Sequence, residues 1–106
     1  MLVLLDQGTP MPLRSFLKNH TVKTAAEQGW STLRNNELLK VAEDARFDLL
    51  VSTDKNLAYQ QNLAGLKIAV VVLGNSQWPV VQRYGDRVVA AVDAANAGSY
   101  TEVDIP

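Results

Sequence analysis

Three acidic residues stand where apolar runs stop. Asp6 follows Leu2-Val3-Leu4-Leu5, Asp54 follows Leu49-Leu50-Val51 after Ser52 and Thr53, and Glu37 opens the strongest amphipathic stretch of the chain. Carboxylates brought together this way repel one another unless a cation lies between them. Hard oxygen donors suit Mg²⁺ or Mn²⁺, with water completing the shell. Such a centre serves metal-assisted phosphoester hydrolysis, in which the ion polarises the phosphate and lowers the pKa of a bound water. Each acid also has a plainer reading. Asp54 is placed to N-cap a following helix, Glu37 suits the positive end of its own helix, and Asp6 can form an Asx-turn into Gly8-Thr9-Pro10. The coincidence of all three lifts the metal reading above those.

The composition leaves little other chemistry. With no cysteine, thiolate zinc sites, iron–sulfur clusters, disulfides and cysteine nucleophiles are excluded. The one histidine, His20, cannot build a histidine cage and is expected to cap a loop at the surface. Ten Lys and Arg against eleven Asp and Glu give a net charge of −1, so no global positive field draws the chain onto nucleic acid. Aromatics are 7%, too few for a base-stacking sheet. Arg34, Lys40 and Lys55 flank the acids and are candidates to hold phosphate, with Asn56 beside them. Trp30 is read either as a base-stacking group or as packing on the sheet edge, and Trp78 as a packing anchor at a helix start. There is no glycine-rich P-loop, and Ser52-x-x-Lys55 lacks the companion motifs of a serine hydrolase.

The elements that must position these residues alternate in period. Leu2 to Leu5, Leu49 to Val51 and Ile68 to Leu73 are continuous apolar runs, as strands buried on both faces require, and the last is expected to be central. Thr21 to Thr24 reads as a short β-branched strand and Tyr100 to Ile105 as an edge strand. Helices are expected over Pro12 to Lys18, as one turn from Ala25 to Gly29, over Asn36 to Arg46 with Asn35 as N-cap, over Asn56 to about Asn62, and from Trp78 to about Ala97 with a bend near Gly85. The 106 residues make a single domain spanning 1–106. Its predicted class is α/β, a three-layer α/β/α sandwich on a mainly parallel sheet of about four or five strands, with right-handed crossovers. The opening MLVLL has no basic segment before it and ends at Asp6. That is too short for a secretory or membrane segment, so the expected location is the cytoplasm, away from membranes.

The same residues carry a resemblance. Asp6 and Pro10 in LLDQGTPMPL, then Gly29-Trp30, Leu33 and Asn36-Glu37-Leu38-Leu39, then Phe47-Asp48 through Thr53-Asp54-Lys55-Asn56-Leu57 and Tyr59-Gln60-Gln61-Asn62-Leu63, resemble the small PIN-like domains. The likeness runs over nearly the whole chain, and the block from Gly29 to Asn62 is its specific part. It implies a three-layer fold and a Mg²⁺- or Mn²⁺-dependent ribonuclease, of the kind that acts as a toxin with an antitoxin partner, and a homodimer. It further implies Asp6, Glu37 and Asp54 as the catalytic and metal-binding acids, with water attacking an RNA phosphodiester to leave a 3′-hydroxyl. Two positions depart from the pattern. Gln7 and Asn56 stand where relatives carry further acids, each keeping an oxygen but losing a charge. These departures motivate an alternative, a catalytically weak or inactive PIN-like domain that binds RNA or protein. A receiver-like domain is a third reading, disfavoured because no lysine follows the fourth strand.

Overall fold

The computed structural model describes residues 1–55, 57 and 66–106, and at Asn35 the backbone alone. Five strands, β1 (Leu2–Leu5), β2 (Thr21–Thr24), β3 (Leu49–Ser52), β4 (Ala69–Leu73) and β5 (Tyr100–Val103), form one sheet in the order β2-β1-β3-β4-β5. Every pairing is parallel, with Val3 opposite both Val22 and Leu49, Leu49 opposite Ala69, and Val70 opposite Tyr100. The runs without polar interruption become the three inner strands, because a strand covered on both faces has no side that can carry polar groups. β3 is the central strand and β4 its neighbour. The more hydrophobic β4 was expected at the centre, but five residues of apolar side chain suit any position that has a partner on each edge.

Alternation along the strands sorts the core into two clusters. Val3, Leu5, Leu49, Val51, Val71 and Leu73 pack on one face against a 3-10 segment (Met11–Phe16) and the helices α2 (Trp78–Arg83) and α3 (Gly85–Ala94). Leu4, Leu50, Val70 and Val72 pack on the other against Leu38, Leu39 and Ala42 of α1 (Asn35–Asp44), together with Ala25, Phe47 and Leu57. Helical layers thus cover both faces, and the chain is a compact α/β fold with a three-layer arrangement.

The helices differ from expectation in detail. The first is a 3-10 segment beginning at Met11 and ending at Phe16. α1 begins at Asn35 with Arg34 as its N-cap and no side-chain cap bond, so Asn35 is inside the helix rather than before it. It ends two residues early in a Schellman arrangement. Arg46 N–H donates to Glu43 O and Phe47 N–H to Ala42 O, both at 2.9 Å, with Arg46 at φ 68° in the position glycine usually holds. The long C-terminal helix is two helices meeting at Tyr84, with the expected bend at Gly85, where a Cβ would lie 2.6 Å from the Phe16 ring and only glycine fits without a shift. Trp78 packs edge-to-face on the same ring, 5.8 Å between centroids, as a helix-start anchor should. His20 is not a loop cap. Its side chain is only 10% exposed, with Nε2 2.7 Å from Asp93 Oδ1 and Nδ1 3.2 Å from the Met1 amine. The expected helix from Asn56 to Asn62 lies outside the described residues. Among those described, no helix is long and apolar enough to cross a membrane.

One topological expectation fails. The β1–β2 connection and the β4–β5 connection pack on the same face, yet they step across the sheet in opposite directions. Two such crossovers must have opposite hands, so the right-handed rule cannot hold for both. The β2–β3 connection steps the other way from β1–β2 and packs α1 on the other face, and so shares its hand. The exception is forced by coverage. Without α2 and α3, a single 3-10 segment would have to bury one whole face of five strands.

Candidate active site

The strand order reverses at β1. The chain leaves β1 for β2 on one side and returns to β3 on the other, and the crevice outside the carboxyl ends of these two strands is where such sheets bind ligands. Asp6 is the first residue beyond β1. Its N–H donates to Val51 O at 3.1 Å, which extends the ladder one residue past the strand and fixes where the carboxylate stands. The residue is 9% exposed. Two hydroxyls close on it. Ser52 Oγ, fully buried at the end of β3, donates to Oδ2. Thr9 Oγ1 lies 2.5 Å from Oδ1 and 3.0 Å from Val51 O, its one proton serving these two acceptors. Ser52 Oγ in turn accepts the Asp54 N–H at 3.1 Å. A hydrogen-bonded chain therefore runs from the Asp6 carboxylate through Ser52 to the backbone of Asp54, tying the two strand ends together.

Asp6 and Asp54 line one cleft of about 240 Å³. Gln7 and Thr53 complete its polar side, Gly8 lies between, and Ala25, Trp30, Leu33 and Leu38 form an apolar wall. The wall is set by the turn after β2. Thr24 and Glu27 make a capping box, Glu27 N–H donating to Thr24 Oγ1 at 3.1 Å and Thr24 N–H to Glu27 Oε1 at 2.9 Å. Arg14 pairs with the same carboxylate. The Thr24 N–H first, and Arg14 next, hold the Glu27 carboxyl below the usual glutamate range. Gly29 at φ 78° turns the chain, Trp30 N–H donates to Ala25 O at 2.8 Å, and the indole rests edge-to-face on Phe47, 5.9 Å between centroids.

The other expected site residues lie elsewhere. Glu37 is exposed in the first turn of α1 and does not line the cleft, although its neighbour Leu38 does. Helical phase explains this. Leu38, Leu39 and Ala42 fix the buried side of α1, and a residue one position before Leu38 falls on the opposite side. Among the described residues, no group of three His, Cys, Asp or Glu side chains is placed to hold a metal ion. Arg34, the N-cap of α1, and Lys40 within it are exposed and are not part of the cleft lining. Lys55 is exposed and lines a neighbouring cleft with Gly74, Glu102 and Asp104. Asn56 lies outside the described residues, as do Gln60, Gln61 and Asn62.

Thr9 and Ser52 are the site residues that sequence reasoning passed over. Their signal is modest: a hydroxyl three residues after the first acid and another two before the last. Two further acids hold backbone together. Asp48 accepts the Leu2 N–H at 2.8 Å, and Glu43 accepts the N–H groups of Lys67 and Ile68, joining α1 to the start of β4. No protein-family model matches the chain, and neither the curated proteins nor the solved structures contain a match.

Proposed function

We propose that the chain is a PIN-like ribonuclease dependent on Mg²⁺ or Mn²⁺, acting as a toxin whose partners are an antitoxin protein and a second copy of itself. The observation that carries this reading is the pair of carboxylates, Asp6 and Asp54, delivered by adjacent parallel strands into one cleft at the switch in strand order. The donor set fits the ion. Both groups are hard oxygen donors, and Mg²⁺ is commonly held by one or two carboxylates with substrate phosphate and water filling its shell. Asp6 and Asp54 would hold it, and the sequence resemblance adds Glu37. When bound, the ion lowers the pKa of water and offsets phosphate charge. The chain's own part is positional. Ser52 and Thr9 fix the Asp6 carboxylate in one orientation, and Trp30, Leu33 and Leu38 keep one side of the cleft apolar. Arg34, Lys40 and Lys55, exposed and outside it, are the cations a bound strand's phosphates would meet.

The test is cleavage of single-stranded RNA with Mn²⁺. Asp6→Asn and Asp54→Asn are expected to abolish it, as is a chelator. Cleavage that survives both substitutions, or that ignores chelator, refutes the proposal. Glu37→Gln separates a two-acid from a three-acid centre by retaining or losing turnover. A second reading, a PIN-like module that binds RNA or protein without catalysis, is favoured by Gln7 and by the two hydroxyls already bonded to Asp6. It requires RNA or protein binding with no turnover and no Mn²⁺ uptake by calorimetry.

A further inference from the structure

The apolar half of the cleft has no part in holding an ion. With Asp6 and Asp54 committed to a cation, what remains open is the wall of Trp30, Leu33 and Leu38, together with two neutral hydrogen-bonding groups, the Gln7 amide and the Thr53 hydroxyl. Trp30 is half-buried and braced on Phe47, so its ring is held in place before any ligand arrives. Leu38 is 2% exposed and belongs to the core, which makes this wall rigid. The volume, about 240 Å³, falls below the roughly 300–1,000 Å³ of pockets that hold drug-sized ligands. It suits one flat group with an apolar face and a polar edge. A base pair is too large, and an apolar side chain would make no use of the Gln7 amide or the Thr53 hydroxyl.

We propose that this cleft is a nucleobase subsite, taking one unpaired base of the RNA beside the phosphate that the acids address. Trp30 supplies the stacking surface, and Gln7 reads the base edge. The proposal rests on the nuclease reading for its placement next to a phosphate. Glutamine pairs well with the amino and ring nitrogens of adenine, and side-chain carbonyl and carboxylate oxygens accept from the exocyclic amine of cytosine. The consequence is a preference for single strands, since a base must leave a duplex to enter.

Nucleosides test this without cleavage, because they carry a base and no phosphodiester. The ¹⁵N-labelled full chain is titrated in Mg²⁺ with adenosine and with cytidine, and ribose serves as control. The two indole N–H signals are assigned through Trp30→Phe and Trp78→Phe. The Trp30 indole and the Gln7 side-chain amide are expected to shift saturably with the nucleosides, while the Trp78 indole stays put and ribose moves neither. Trp30→Leu, followed at the Gln7 amide, should weaken binding about 5- to 150-fold, the range that stacking one base on one aromatic ring spans. Gln7→Ala, at an exposed position, leaves the fold intact and should reduce the adenosine response. No shift at Trp30, equal shifts at Trp30 and Trp78, or a tighter response to N-acetyl-argininamide or N-acetyl-tyrosinamide than to either nucleoside would overturn the subsite. Base binding without Mn²⁺-dependent RNA cleavage refutes the nuclease and leaves the subsite standing. Cleavage without base binding does the reverse.

Discussion

Ser52→Ala is the sharpest probe of how the site is assembled. The side chain is fully buried and small, so losing its oxygen leaves almost no cavity and the effect is one of hydrogen bonding. Two bonds go at once: the one donated to the Asp6 carboxylate and the one accepted from the Asp54 N–H. Hydrogen bonds to a charged partner contribute about 1.5–3 kcal/mol and neutral ones about 1 kcal/mol, and the buried carboxylate loses a donor it cannot replace with protein. A net loss of about 2–3 kcal/mol is expected. At about 4–8 °C per kcal/mol for a domain near this size, the melting temperature should fall by roughly 10–20 °C. A domain of this length holds about 5–15 kcal/mol in total, so the variant still folds at room temperature. Urea denaturation of Ser52→Ala, Asp6→Ala and the double variant measures the coupling. If the chain of bonds is as described, the double variant should be less destabilised than the sum of the singles, by about 1–3 kcal/mol. A Ser52→Ala protein within about 0.5 kcal/mol of the parent, or additivity within that margin, would refute the reasoning.

Gly85→Ala places a methyl 2.6 Å from a Phe16 ring that Trp78 already brackets, so it should destabilise by about 1–3 kcal/mol despite alanine's better helix propensity. Phe16→Leu in the same chain should recover much of that loss, and thermal unfolding of the four combinations decides it. Glu27 gives a pH signature. Its folded pKa is lowered, so its contribution to stability is complete above the ordinary glutamate value of 4.5 and is lost as pH falls through the lower folded value. Glu27→Gln should therefore lower stability near neutrality and flatten the acid limb of the stability–pH profile below about 4.5, and identical acid limbs would contradict the assignment.

The strands were legible because their signal is local. Leu2–Leu5, Thr21–Thr24 and Tyr100 onward announce themselves by apolar runs or β-branching, and each strand starts or ends within about two residues of its expected place. The position of Asp6 and Asp54 at strand ends followed directly. What was not legible depends on distant partners. The bend near Gly85 was readable, but the reason no side chain fits there is Phe16, almost seventy residues earlier, and the left-handed backbone at Arg46 goes with Phe47 closing the helix end. The opposed crossover hands depend on which face needed cover. The exposed side that Glu37 takes on α1 follows from the helical phase of Leu38, Leu39 and Ala42. Thr9 and Ser52 were hidden for another reason. A hydroxyl acquires a role only when a carboxylate from another segment comes within reach.

The division of the core into two clusters sets how the chain can change over time. Leu38 is at once a core side chain of α1 and a wall of the cleft, and Trp30 and Leu33 pack against the same cluster. Any volume change in that layer is felt where a ligand would sit, so drift there is held back twice, by folding and by use. The layer of α2 and α3 carries no cleft residue. Its Val81, Val88 and Val92 answer to packing alone and can exchange among aliphatic residues of similar size, making that side the natural place to stabilise, label or tether the protein.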